Sequence, residues 1–195
     1  PNVIHSQAIE FTSEISEKLQ GYKNKGNTVL CTVAHFCRRK GGDFAVEAAE
    51  ILKQQHVKFK WIFVGKVLEE DLCDMIKKKR LDDNMIFVGV QSNPYPYMFL
   101  SDIYVQPSRY EGKSISLDEA KILYKPIVVT NFSTVGDQFE NRKNALICDM
   151  NGKALADSIV ELINNRELFL SLINYLKNNI QDNSSEVKKL YAFVN

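Results

Sequence analysis

The chain has 195 residues, 45% hydrophobic and 25% charged, with 25 Lys and Arg against 24 Asp and Glu for a formal charge of +1. That length and composition fit one α/β domain or at most two small ones, and exclude a disordered or fibrous chain. The near-neutral balance argues against a general nucleic-acid binder. No apolar run approaches the ~20 residues of a membrane-spanning helix, and Pro1 to Glu10 lacks the layout of a signal peptide.

Cys31, Cys37, Cys73 and Cys148 show no CxxC spacing, and His5, His35 and His56 do not pair with them at zinc-ligand distances in sequence. Cys31 and Cys148 sit in apolar runs and read as small core residues. The expectation is a reducing compartment, no structural metal and no disulfide framework.

Residues 1–27 are polar and carry no clear strand. Thr28 to Ala34 is a nearly continuous apolar run, the pattern of a buried strand. Gly41 and Gly42 follow, then a helix with Phe44, Ala45, Ala48, Ala49 and Leu52 at helical spacing. Trp61 to Val64 is a second strand, ending at Gly65. Glu69 to Arg80 is a helix whose last turn carries Lys77, Lys78, Lys79 and Arg80, where the helix dipole favours cations. Met85 to Val88 is a third strand, closed by Gly89.

The alternation continues with a short helix over Tyr97 to Leu100, a strand over Ile103 to Gln106 stopped by Pro107, and a helix over Ile115 to Leu123. Pro126 to Thr130 is a strand with its proline at the tolerated first position. Ala145 to Cys148 is the last strand, and Leu155, Ile159, Leu162 and Ile163 mark an amphipathic helix. Strands alternating with helices predict an α/β, Rossmann-like, doubly wound parallel sheet. Near the end, Val187, Leu190, Tyr191 and Val194 share one helical face, which either packs back on the sheet or needs a partner.

In such sheets ligands bind at the carboxyl ends of the strands. After the first strand come His35, Phe36, Cys37, Arg38, Arg39, Lys40, Gly41 and Gly42. Three cations leading into two glycines and a helix start suit a phosphate, because the free N–H groups and the helix dipole attract anions; a solvated basic turn is the alternative. No GxGxxG fingerprint follows a strand and no P-loop occurs, which weakens dehydrogenase and nucleotide-hydrolase readings. After the fourth strand comes Tyr110-Glu111-Gly112-Lys113-Ser114-Ile115-Ser116-Leu117-Asp118-Glu119-Ala120. Gly112 and the next amides can cradle a diphosphate at the helix start. Glu111 reads either as a site carboxylate or as an exposed loop residue. Glu119 reads either as a site carboxylate or as the far end of a Ser116–Glu119 capping box.

Glu111-x7-Glu119, preceded by Gln106-Pro107-Ser108-Arg109-Tyr110, resembles the E-x7-E signature of the family 4 retaining glycosyltransferases. Those enzymes have the GT-B architecture, in which two Rossmann-like domains face across a cleft. His35-Phe36 through Lys40-Gly41 looks like that family's G-R-L…K-G loop. Phe63-Val64-Gly65 and Phe87-Val88-Gly89-Val90 look like its next two strand ends, and Lys125 to Thr130 like its G-K-P-V-V-A-T strand. The resemblance runs colinearly over about residues 28–170 and is nearest to capsular and lipopolysaccharide members. Pro1-Asn2-Val3-Ile4 looks like the hinge where the family's second domain begins.

The resemblance implies a division into a hinge and lead-in (1–27), a donor-binding domain (28–180) and a C-terminal helix (181–195) that crosses back to an acceptor-binding N-terminal domain missing from this chain. Lys40 matches the lysine on the donor diphosphate, and Glu111 the glutamate near donor sugar and phosphate; these two are the catalytic candidates. Glu119 matches the glutamate that accepts from ribose hydroxyls. The amides of Gly112, Lys113 and Ser114 match the diphosphate turn, and Val88, Gly89 and His35 complete the expected donor site. His35 stands where the family has an arginine, and it is only partly charged near its reference pKa of about 6.5. Lys66 follows Gly65 in place of a glycine, and either supplies the missing charge or lies on the surface.

The implied activity is transfer of a hexosyl-type sugar from a nucleotide-diphosphate donor, UDP-linked by default, to a bacterial surface polysaccharide or lipid-linked acceptor. No cofactor and no metal are expected. The chain has no DxD triplet, and Lys40, a helix dipole and backbone amides would stabilise the departing diphosphate without one. An isolated donor domain would bind without transferring. The expected location is cytoplasmic, at the inner membrane face through peripheral association of the whole protein, with no nucleic-acid partner. Two alternatives stay open: a non-hydrolysing sugar-nucleotide epimerase, which would be expected to need more acid/base groups than three histidines suggest, and a non-catalytic flavodoxin-like nucleotide-binding module.

Overall fold

Six short strands carry the architecture of the computed structural model, which describes Ile4 and residues 13–179. They are β1 (Thr28–Val33), β2 (Phe59–Val64), β3 (Met85–Phe87), β4 (Ile103–Gln106), β5 (Ile127–Thr130) and β6 (Leu146–Cys148). All pair in parallel in one sheet ordered β3-β2-β1-β4-β5-β6. That is the Rossmann order expected from the alternating pattern, with its switch point between β1 and β4. Both faces are covered, so the strands read as continuous apolar runs. Alternation still decides which face each residue serves. Leu30 lies opposite Trp61 on β2 and Ile103 on β4, and all three belong to one core cluster. Their neighbours Val29, Ile62 and Tyr104 belong to the other.

On the first face lie α2 (Gly42–Gln54), α3 (Glu70–Lys78), α6 (Gly152–Asn164) and α7 (Arg166–Asn179). Ala45, Ala48 and Ala49 are fully buried on α2 and let α6 approach closely: a Cβ on Gly152 would stand 2.3 Å from the Glu47 Cβ. Asn151 caps α6 by accepting from the Ala154 N–H, and Asn165 accepts from the Leu168 N–H at the start of α7. Trp61, Phe63, Phe36 and Phe87 stack or meet edge-on under α3 with centroids 4.8–5.3 Å apart. Each large apolar side chain buried here contributes roughly 1.5–3 kcal/mol.

On the second face lie α1 (Ser13–Asn24), α4 (Tyr95–Leu100) and α5 (Ile115–Ile122). The polar lead-in before residue 28 therefore contains a helix, and Leu19 is buried in the core. The Lys23 ammonium reaches Asp102 at 2.7 Å, and Asp102 also accepts from the Val29 N–H, which ties α1 to the edge where β1 and β4 begin. The packed unit thus starts earlier than residue 28. Strand and helix boundaries otherwise fall within about two residues of the sequence reading, and α7 is the element that reading omits. Pro126 sits just before β5, and its carbonyl accepts from the Tyr104 N–H. The stripe from Val187 to Val194, and all of the proposed hinge except Ile4, lie outside the described residues.

Candidate active site

The loops after β1 and β4 leave the sheet toward opposite faces, and the crevice between them is the site. They touch closely. Gly41 adopts φ 71°, and a Cβ there would fall 1.7 Å from the Pro107 carbonyl oxygen, so only glycine satisfies both the backbone and the contact. Arg109 fastens the same junction. Its guanidinium donates to both carboxylate oxygens of Asp43, at 2.5 and 2.6 Å, and to the Arg38 carbonyl. It lies 3.7 Å from the Phe44 ring centroid, and its own N–H donates to the Arg39 carbonyl.

Loops on the β2 side are fastened by backbone bonds that continue the sheet past its strands. The Phe36 N–H donates to the Lys66 carbonyl, the Leu68 N–H to the Phe36 carbonyl, and the Gly65 N–H to the Gly89 carbonyl. Gly65, at φ 149°, would meet the Ala34 carbonyl oxygen at 2.2 Å if it carried a Cβ.

Of the three adjacent cations, only Lys40 faces the crevice. Arg38 turns outward to pair with Glu69 and Asp71, and Arg39 is exposed. The Lys40 Nζ donates to both Glu111 oxygens, at 2.8 and 2.7 Å. Glu111 is 7% exposed and accepts as well from Gln106 Nε2 at 2.8 Å and Ser108 Oγ at 2.7 Å. Behind them the buried Tyr104 hydroxyl donates to Gln106 Oε1, so a hydrogen-bonded chain runs from the core to the site. The Thr134 hydroxyl holds the Glu111 and Gly112 carbonyls. Burial alone would raise the Glu111 carboxyl, but the bonds from Lys40 and Ser108 and the Lys40 charge override it and hold it below the usual carboxylate range. It is not an exposed loop carboxylate.

Glu119 is built differently. It sits half-buried on α5, and its Oε1 accepts from the Tyr95 hydroxyl at 2.9 Å. Burial raises its carboxyl above the ordinary value, opposed only in part by that bond. The capping-box alternative does not hold: α5 begins one residue after Ser114, whose side chain makes no capping bond, and Ser116 already lies inside the helix. The first turn is held instead by Gln138, which accepts from the Ser114 N–H and donates to Asp118.

An opening of about 430 Å³ lies between these loops. His35, Lys40, Glu111, Lys113 and Ser114 line it as the sequence suggests, joined by Val90, Gln91 and Pro94 from the loop after β3 and by Ile115 and Ser116 from α5. Gly112, Val88, Gly89 and Glu119 are not lining residues. Gly112 is the exposed turn beside Glu111, Gly89 is spent on the Gly65 bond, and Val88 lines a separate groove under α1. Glu119 lies one turn beyond Ser116. His35 accepts from the Lys66 N–H at Nδ1, which leaves Nε2 as its ring donor. Lys66 serves through its backbone and its side chain is not in the lining, so it does not replace the missing charge. The Lys113 side chain is 80% exposed and 3.9 Å from Asp118.

Sequence reasoning missed Tyr95, Thr134 and the anchoring of Glu111 by Gln106 and Ser108. The last two stand in the run preceding Glu111, where two polar side chains between a buried strand end and a carboxylate were the available signal. Tyr95 gave none, because its partner is 24 residues away. Among the described residues no three His, Cys, Asp or Glu side chains converge as a metal site, and no described helix is long and apolar enough to cross a membrane.

Sheet order and crevice define a Rossmann-like α/β domain with a ligand-sized opening at its switch point. The family model described as glycosyl transferases group 1 matches residues 14–179, and the chain belongs to that family. It is 29% identical over 157 residues to a poly(ribitol-phosphate) α-N-acetylglucosaminyltransferase of Staphylococcus aureus, covering 78% of this chain and 32% of that protein. It is 28% identical over 149 residues to an uncharacterized glycosyltransferase of Haemophilus influenzae, covering 75% of this chain and 42% of that one. The chain thus spans less than half the length of these curated relatives. The fold matches that of an Anabaena protein, HepE, crystallised with UDP, with a TM-score of 0.75 and 19% identity over 86% of this chain and 48% of the other.

Proposed function

We propose that this chain is the donor-binding domain of a retaining, metal-independent glycosyltransferase that extends a bacterial surface polysaccharide or lipopolysaccharide from a UDP-sugar. The observation that carries the reading is the pair of the partly buried Lys40 and the buried Glu111 at the switch-point opening, inside a chain of the glycosyltransferase family. An ammonium there faces the position a diphosphate would take. When the bond from the sugar to the diphosphate breaks, its electron pair leaves on a phosphate oxygen, and Lys40 with the amides of Gly112, Lys113 and Ser114 compensates the charge that develops. Glu111, fixed by Gln106 and Ser108 as well, keeps its place when Lys40 turns to the phosphates. The loop that follows Val88 and Gly89 meets the donor through Val90, Gln91 and Pro94, and His35 offers its Nε2 where the family has an arginine. Glu119 binds the ribose, because an ionised carboxylate only accepts hydrogen bonds and vicinal hydroxyls donate them.

The acceptor belongs to a second domain outside these 195 residues, so this domain binds donor without transferring sugar. UDP relatives of known structure and relatives named for capsule and O-antigen synthesis support the substrate class. On this reading the whole enzyme works in the cytoplasm, at the inner membrane face. Calorimetric titration with UDP and with uridine tests the reading. Lys40→Ala should weaken UDP by the roughly 1.5–3 kcal/mol of a charge-assisted contact, about 10- to 150-fold, and leave uridine unchanged. Equal weakening of both ligands would overturn it.

A further inference from the structure

Glu119 shows an unusual allocation of its two oxygens. Oε1 is occupied by the Tyr95 hydroxyl at 2.9 Å, while Oε2 has no protein donor among the described residues. Tyr95 comes from the other side of the switch point, as the first residue of α4 after β3. It is anchored twice. Its N–H donates to Asn93 Oδ1, and its half-buried ring packs against the second core cluster. Its neighbour Pro94 lines the opening, as does Ser116 one turn before Glu119. A phenol held at backbone and ring is a stiff donor, so the carboxylate it grips has one orientation rather than several.

We infer that Tyr95 is a positioning residue for ribose recognition: by taking Oε1 it fixes the Glu119 carboxylate and directs Oε2 at the vicinal hydroxyls of a bound ribonucleotide. The inference rests on the donor-site reading above. It adds a residue in contact with neither phosphate nor base, and it makes discrimination between ribose and deoxyribose depend on a side chain in a different loop from the carboxylate. Without the phenol, the half-buried carboxylate turns to find another donor and meets the ribose hydroxyls in the right geometry for only part of the time. A ligand lacking those hydroxyls has nothing to lose by that motion.

Titrating this domain with UDP and with 2′,3′-dideoxyuridine diphosphate tests the point, using wild type, Tyr95→Phe and Glu119→Gln. Phenylalanine keeps the ring in the core and removes one hydroxyl, and a thermal melt run beside each titration confirms that the fold persists. Wild type should prefer UDP by at least about tenfold, the worth of one or two hydrogen bonds to a charged group. Tyr95→Phe should weaken UDP about fivefold while changing the dideoxy ligand less than about twofold, so that the preference shrinks. Glu119→Gln should shrink it further, and the double variant should be no worse than Glu119→Gln alone. If Tyr95→Phe weakens both ligands equally or leaves both unchanged while Glu119→Gln abolishes the preference, the role of Tyr95 is refuted and the donor-site reading survives. If Glu119→Gln also leaves the preference intact, or wild type shows none, the ribose assignment of Glu119 falls and the role of Tyr95 with it.

Discussion

Glu111 and Glu119 are the same residue type eight positions apart, yet the fold prepares them in opposite ways. Glu111 receives two neutral donors and a cation and is held below the usual carboxylate range. Glu119 receives one neutral donor and is pushed above that range. A carboxylate whose lone pairs are already satisfied is a fixed charge in the architecture. One left half-satisfied in partial burial keeps an oxygen open to donors from water or from a ligand. The difference comes from position: Glu111 follows β4 directly, within reach of Gln106, Ser108 and the β1 loop, whereas Glu119 is a helix turn further on and meets only the loop after β3.

The largest expected effect tests whether that contrast is energetic. Glu111→Gln leaves the Lys40 cation without its counter-charge in a mostly buried site, and should cost about 1–3 kcal/mol of stability at neutral pH. Glu119→Gln should cost nothing and stabilise slightly. Urea denaturation across pH separates them further. The folded state depresses the Glu111 carboxyl, so its contribution is present above the ordinary glutamate pKa and lost as pH falls through its lower folded value; the cost of Glu111→Gln should shrink on acidification. The folded state raises Glu119, so the folded form binds the proton more tightly and stability falls as pH rises through that window. The benefit of Glu119→Gln should therefore vanish below about pH 4.5. Parallel pH profiles for the two variants would erase the distinction.

Next in size is ligand pH dependence. Uridine affinity should decline on acidification sooner than an ordinary carboxylate would allow, because protonated Glu119 can no longer accept from both ribose hydroxyls, and Glu119→Gln should flatten the profile. A wild-type profile already flat down to pH 4 would count against Glu119 as the ribose acceptor. The smallest effect belongs to Lys113, whose exposed and distant pairing with Asp118 places it among surface charges worth under about 1 kcal/mol. Lys113→Ala should shift UDP affinity less than about fivefold, and that shift should disappear at high salt.

The sheet was legible because its strands are apolar runs broken by Gly65, Gly89 and Pro107, each standing where a strand stops. The two loops of the site were legible because glycine and charge concentrate there. What the sequence hid depends on approach between distant segments. Three adjacent cations look equivalent in a string, yet Arg38 finds Glu69 and Asp71 outside while only Lys40 finds Glu111 inside. The Ser116–Glu119 spacing fits a capping box, but the helix begins at Ile115, two residues earlier than that pattern requires. Helix α7 lies inside the 28–180 bounds but was not singled out, although Leu168, Leu172 and Leu176 recur at helical spacing and are buried. Helix α1 was hidden by its polar composition; its burial rests chiefly on Leu19.

The backbone bonds that carry pairing beyond the ends of β1, β2 and β3 have a consequence for binding thermodynamics. The Phe36, Leu68 and Gly65 amides are committed within the protein, so the walls of the opening are already ordered before any ligand arrives. Each residue that had to be ordered on binding would cost roughly 1–2 kcal/mol of conformational entropy. A site already set in this way keeps that sum in its affinity, and a few well-placed contacts to ribose and diphosphate are then enough to hold a flexible, highly charged molecule.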